Sequence, residues 1–255
     1  MTPITTKQLD LRQTPTWVAG LASETQRLAH MEQLLNQLGL NAQLAKGLNA
    51  PDEGYQGCAL SHLRALSRCD SAQPVLVLEN DCQTTANYTP TIEYPADADI
   101  VYLGASSCGF VADLNDRGIP GAAIALDISD DYLRVYNMAA THAILYTSAR
   151  AIEMAKSVIV QYMVDGRPHD IGYQALQRQL NTYVLRQPMF YQYGALQNRN
   201  KAVEIEQHTN IQFGIGGPPQ TLNLNMRISG QIDMALQQDA EGLPYWKVTR
   251  QVANS

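Results

Sequence analysis

Val75-Leu76-Val77-Leu78 constrains this chain more than any other stretch, because four consecutive branched apolar side chains offer no polar face to water. So short a run suits a strand buried on both faces of a parallel sheet better than a helix. Pro74, which cannot donate to a sheet ladder, opens it. Glu79-Asn80-Asp81 closes it. In an open α/β sheet, ligands bind at the carboxyl ends of the strands, where side chains leave the hydrophobic layer. Residues two apart on an extended segment point to the same side, so both carboxylates can address one cation, and that cation can neutralise a diphosphate. The same three residues also read as an ordinary helix N-cap or turn, and spacing alone does not choose between the two.

The flanking pattern alternates strand and helix, which predicts a doubly wound parallel sheet. Thr16 to Leu21 reads as a first strand. Thr25 to Gly39 carries Leu28, Met31, Leu34, Leu35 and Leu38 at three- and four-residue steps, an amphipathic helix closed by a glycine. Asn41 to Leu48 reads as a second strand, Gly57 to Cys69 as a helix, and Asp99 to Gly104 as another strand. The stretch 109–132 reads as an irregular loop, long enough to serve as a substrate lid, with turn signals at Asn115-Asp116-Arg117-Gly118 and Ile119-Pro120-Gly121. Strand pieces are predicted at Leu133 to Met138 and Ala143 to Tyr146, and helices at Ala149 to Met163 and Ile171 to Leu180. Thr182 to Arg186 is the last clear strand. Gly214 to Pro219 reads as a loop that lacks the strand and helix of a phosphate cradle.

Composition narrows the function classes. A chain of 255 residues has room for one large domain, and 45% hydrophobic with 16% charged residues is the balance of a soluble globular protein. The net charge of −6 and the absence of a Lys/Arg cluster argue against a general polyanion-binding surface. Met1 to Arg12 has no apolar segment of signal-peptide type, and no run approaches the ~20 apolar residues of a membrane helix. A cytoplasmic protein is expected. Cys58, Cys69, Cys82 and Cys108 form no C-x-x-C pair and show no zinc-ligand spacing, so free buried thiols are expected.

Three separated stretches, the acidic strand among them, combine into a resemblance. They are Ser23 to Leu28 with Met31 and Leu38-Gly39-Leu40, then Gly57-Cys58-Ala59-Leu60-Ser61-His62, then Pro74 to Asp81. In this order and spacing they resemble glycosyltransferase family 25, the lipopolysaccharide-type galactosyl- and glucosyltransferases related to the collagen galactosyltransferases. That family has G-C-x-x-S-H opening a helix and an apolar strand ending L-E-D-D. Weaker echoes are Tyr102-Leu103-Gly104, Thr141 to Leu145, Arg167-Pro168-His169-Asp170 and Gln187 to Gln192. This chain departs from the pattern at Asn80, where the family has an acid. Residues 201–255 match nothing in it.

The resemblance implies a GT-A-like α/β fold, a doubly wound sheet with helices on both faces, over residues 1–200. Residues 201–255 are then an extension packed on the same domain, and either they or the 109–132 loop form the candidate acceptor-binding region. It implies transfer of a hexose from a UDP-sugar to an acceptor hydroxyl on a glycan or related molecule, with inversion, assisted by manganese or magnesium. Asp81, Glu79 and His142 are the expected metal ligands, with His169 the other candidate for the third position and either histidine alternatively an acceptor contact. Arg27, Ser61, His62 and Glu79 are expected around the nucleotide sugar: Ser61 as the N-cap of its helix, Arg27 on pyrophosphate or uracil. Asp170 is the expected catalytic base, because inversion needs a carboxylate to take the acceptor's proton. Each has a bland counterpart: a cap for Asp81, Ser61 and Asp170, a packed structural imidazole for His62, His142 and His169, and a solvated side chain for Arg27. Two other functions stay open, a catalytically silent nucleotide-sugar or glycan-binding module and a transferase acting on modified bases in nucleic acid.

Overall fold

A computed structural model of the chain describes residues 4–47, 54–106, 108–111, 119–192, 220–221, 231–238 and 244–251. The N-terminal half runs β1 (Thr6–Asp10), β2 (Thr16–Gly20), α1 (Thr25–Leu38), β3 (Ala42–Lys46), α2 (Gly54–Ser67), β4 (Val75–Glu79), β5 (Cys82–Thr84), β6 (Thr91–Pro95) and β7 (Ile100–Tyr102). Next come β8 (Cys108–Val111), β9 (Ile119–Ala122), β10 (Ile124–Asp127), β11 (Tyr132–Val135), β12 (Ala143–Tyr146), α3 (Ala149–Val164) and α4 (His169–Gln179). The chain ends with β13 (Thr182–Leu185), β14 (Phe190–Gln192), β15 (Gln220–Thr221), β16 (Gln231–Gln238) and β17 (Pro244–Gln251).

Nine strands form one central sheet in the order β15-β10-β11-β13-β7-β12-β4-β2-β3. The acidic strand lies inside it, β4 pairing parallel with β2 and antiparallel with β12. Val75, Leu76, Val77 and Leu78 are fully buried, as an apolar run without alternation requires. The sheet is mixed where the alternating pattern predicted parallel strands: β2, β3 and β4 are parallel, as are β7 and β13, whereas β12 runs against both its neighbours.

Helices cover both faces. Met31 and Leu34 of α1 pack with Val18, Leu76 and Leu78 on one face, joined by Ile92 and Tyr94 of β6. On the other, Ala59 and Leu66 of α2, Ile152 and Ile159 of α3, and Tyr173 and Leu176 of α4 pack on Trp17, Val77, Tyr102 and Ile144. Gly39 stops α1 in the left-handed conformation (φ 68°), its N–H donating to the carbonyls of Leu35 and Asn36. Two buried polar contacts fix α4. Tyr173 and Tyr146 share a hydroxyl hydrogen bond of 2.6 Å, and the Gln177 amide donates to the Tyr102 hydroxyl (3.0 Å) and the Met138 carbonyl (2.6 Å).

Several expectations need correction. The polar lead-in holds β1, which pairs with β6. The described parts of 109–132 are largely strand, with β8 pairing β9 and β10 joining the central sheet, while 112–118 and the Gly214 to Pro219 loop lie outside the described residues. From the C-terminal region, β15 adds to the central sheet beside β10, and β16 and β17 pair with each other. Among the described residues no helix is long and apolar enough to cross a membrane.

Candidate functional site

The strand order places a crevice at the acidic motif. From β2 the chain crosses one face through α1 to β3, then returns over the other face through α2 to β4, on the far side of β2. The helix that leaves β2 and the helix that enters β4 therefore lie on opposite faces, so β2 and β4 flank the point where the winding reverses, the place where open α/β sheets bind ligands outside the carboxyl ends of their strands. Ala19 and Glu79 are register partners at those ends.

Asn80 ties the crevice together on the α1 side. Its side-chain nitrogen donates to Glu24 Oε2 (2.7 Å), its oxygen accepts from Arg27 (3.4 Å), and its backbone N–H donates to the Ala19 carbonyl (3.0 Å). The amide rests against Gly20, where an added Cβ would lie far inside van der Waals contact. Arg27, in the first turn of α1, pairs with Glu24 at 3.0 Å and approaches the buried Asp81 carboxylate at 3.9 Å.

Glu79 faces the other partners. Oε1 accepts from the Thr141 hydroxyl (2.5 Å) and lies 3.2 Å from His62 Nε2, and Oε2 accepts from the Gln192 amide (3.1 Å). Burial pushes its carboxyl up, but hydrogen bonding and charge from His62, with help from Thr141 and His142, outweigh burial and hold it below the ordinary range, so it is ionised at neutral pH. His142 is buried with its ring against Gly104, which has no room for a Cβ, and its carbonyl accepts from the backbone N–H of Glu79 (2.8 Å).

Asp170 lies in the first turn of α4, and its Oδ1 accepts from the Ile171 N–H (2.9 Å). Its carboxyl is raised, first by burial and further by the nearby Glu79 charge. The preceding residue, His169, is buried with its ring centroid 4.9 Å from that of His62. Burial and the neighbouring His62 hold its imidazole down to a pKa of about 3. One ring nitrogen of each histidine and the Cys58 thiol lie within 4.8 Å of one another. Among the described residues this is the group of three or more His, Cys, Asp and Glu side chains gathered closely enough to hold one ion; Asp81, Glu79 and His142 do not form such a group.

The sequence-predicted residues thus fall in two clusters at the end of β4. Arg27 and Asp81 lie on the α1 side; Glu79 and His62 meet on the α2 side, where Asp170 is close enough for the Glu79 charge to raise its carboxyl. Period-two alternation stops where β4 ends at Glu79, so Glu79 and Asp81 take different partners. Ser61 is not an N-cap: α2 begins at Gly54, and the Ser61 hydroxyl, fully buried inside the helix, donates to the Cys58 carbonyl (2.6 Å). Sequence reasoning missed Glu24, Thr141 and Gln192 as site residues. Of these, Gln192 bonds Glu79 across 113 positions, so only the late Pro-and-Gln segment hinted at it.

No family model matches the chain, and no curated protein matches it significantly. Solved structures similar to it include the CTP:phosphocholine cytidylyltransferase of Streptococcus pneumoniae, 12% identical with a TM-score of 0.38, covering 70% of this chain and 72% of that one. The inositol-1-phosphate CTP transferase of T. maritima is 14% identical with a TM-score of 0.37, covering 70% and 86%. A mutant Drosophila β1,4-galactosyltransferase 7, solved with manganese, UDP-Gal and xylobiose, is 9% identical with a TM-score of 0.35, covering 94% of each chain. Similarity this remote is one of outline and leaves the reaction to the site itself.

Proposed function

We propose that the protein is an inverting glycosyltransferase of GT-A type, in the manner of family 25, moving a hexose from a UDP-sugar to a glycan hydroxyl. The observation that carries this reading is the Glu79-Asn80-Asp81 turn at the β2/β4 crevice, held from the α1 side by Arg27 and from the α2 side by His62. Asp81 and Glu79 offer hard oxygen donors, the chemistry that suits manganese or magnesium. Asp81 would hold the cation, the three residues Asp81, Glu79 and His142 not being gathered around one point among the described residues. When bound, the cation supplies charge neutralisation to the diphosphate leaving group.

The chain's own residues do the rest. Arg27 lends a second positive charge at the same edge of the crevice. Glu79, ionised and fixed by three side chains, orients the hexose through its hydroxyls. Asp170, on the His62 side of the crevice, takes the proton of the attacking acceptor hydroxyl. The Asn80 amide has a place of its own in this site, as the donor to Glu24.

Donor hydrolysis across a panel of nucleotide sugars, with and without manganese, tests the reading. UDP-hexose turnover that rises with manganese, and is lost in Asp81→Ala, is expected. Tight UDP binding with no metal linkage and no hydrolysis of any donor would return the protein to a binding module.

A further inference from the structure

We propose that Cys58, His62 and His169 bind one zinc-class transition-metal ion, at ligands other than those of the hard-cation site of the nucleotide-sugar reading, with Glu79, which touches His62, common to both. Cys58 and His62 are four residues apart on α2, which puts both on one face of the helix, and His169 opens α4 opposite them. The thiol and one nitrogen from each ring already lie within 4.8 Å of one another.

The hydrogen bonding leaves nitrogen lone pairs for this purpose. The Glu79 carboxylate faces His62 Nε2 at 3.2 Å and accepts its hydrogen. The other ring nitrogen, Nδ1, is buried and has no hydrogen-bond partner among the described residues. His169 Nε2 is buried without a partner in the same way. Both histidines are more than nine-tenths buried, so water does not readily satisfy them. A carboxylate on the far nitrogen of a ligating histidine is the usual outer support of zinc sites, fixing the tautomer and raising the basicity of the ligand.

The surroundings select a cation over a reactive thiol. Burial, and then the charges of Glu79, Asp81, Asp170 and Glu24, push the Cys58 thiol well up, so by itself it is a poor nucleophile. The same four carboxylates make the pocket favourable for a positive ion. One thiolate and two imidazoles match zinc better than magnesium or manganese, and they supply three of the four ligands of a tetrahedral centre. On binding, the Cys58 S–H bond breaks, the sulfur–metal bond forms, and the proton leaves to solvent. The ion would tie α2 to α4 and so fix Asp170, next to His169, relative to Glu79.

Cobalt titration of the chelator-stripped full chain, in the absence of nucleotide, tests the site. One equivalent of cobalt should bind with a near-ultraviolet thiolate-to-cobalt charge-transfer band and the visible bands of a tetrahedral centre, and zinc should bleach both. Cys58→Ser should abolish the charge-transfer band, and Cys69→Ser should keep it. Glu79→Gln should keep the band but weaken cobalt binding about 10–100-fold, the usual effect of losing an outer partner. Asp81→Ala, which removes the proposed hard-cation ligand, should change neither band nor affinity. Absence of the band in the unmutated protein would overturn the proposal, a result that needs no variant to fold. Its persistence in Cys58→Ser, or equal loss in Asp81→Ala, would overturn it as well.

Discussion

Asn80 shows how one side chain can be misjudged from its neighbours in sequence. Beside Glu79 and Asp81 it reads as a carboxylate lost from a metal site. In the fold its amide donates to Glu24 and accepts from Arg27, and it leaves Gly20 no room for a side chain. Asn80→Asp would turn that donor into a second carboxylate against Glu24 in a buried position. The expected outcome is a folded protein destabilised by about 1–3 kcal/mol, the cost of losing a buried donor and setting like charges together, measured by urea denaturation. Unchanged stability would mean that the Glu24 contact contributes nothing. Asp170 makes a different prediction. Asp170→Asn keeps an oxygen to accept from the Ile171 N–H and so preserves the start of α4. Turnover should fall by about 10²–10⁴ while UDP affinity stays near normal, as for a positioned base. Rapid turnover in this variant would remove Asp170 from the chemical step.

At the scale of elements, legibility followed periodicity. The helices α1 and α3 and the strands β2, β4, β12 and β13 were readable because each buries a stripe or a continuous apolar run. The direction of β12 was not, since Ala143 to Tyr146 presents the same buried pattern whichever way it runs. β1 was hidden because Thr6, Lys7 and Gln8 are exposed and only its backbone pairing with β6 makes it a strand. The predicted start of α2 at Gly57 falls three residues after its actual start at Gly54, and the Ser-His signal, which reads as a cap, lies inside the helix. At the site, the acidic motif was legible as a local pattern, whereas Glu24 and Gln192 join it across 56 and 113 positions, distances that no local pattern encodes. Packing between α3 and α4 gives a further prediction. Gly172 of α4 is so close to α3 that a Cβ would meet Val158 Cγ1 at 2.5 Å and the Tyr162 ring at 2.7 Å. Alanine is the better helix former by about 1 kcal/mol, but overpacking at a backbone-close contact typically costs about 1–3 kcal/mol. Gly172→Ala should therefore lower the urea midpoint. A raised midpoint would show that the two helices separate at no cost.

For the whole molecule, the sheet divides the work between its halves. β3, β2 and β4 with α1 and α2 make the crevice, while β12, β7 and β13 bring in His142 and the chain leading to Gln192. The last strand to join is β15, which pairs with β10 at the sheet edge opposite β3. The β16–β17 hairpin pairs only with itself among the described residues. A chain ending after Thr221 therefore keeps all nine strands of the central sheet and every residue proposed here for donor binding and proton transfer. If residues 222–255 serve the acceptor, as proposed for the C-terminal extension, this truncation should separate two activities. It should melt cooperatively, bind UDP with the same manganese dependence as the full chain, and hydrolyse the UDP-sugar donor. Transfer to a glycan acceptor should be lost. Hydrolysis competes with transfer for the same donor, so its survival is the control that shows the crevice intact. Loss of UDP binding together with transfer would make the C-terminal segment part of the folded core, and retained transfer would place acceptor recognition on the sheet domain itself.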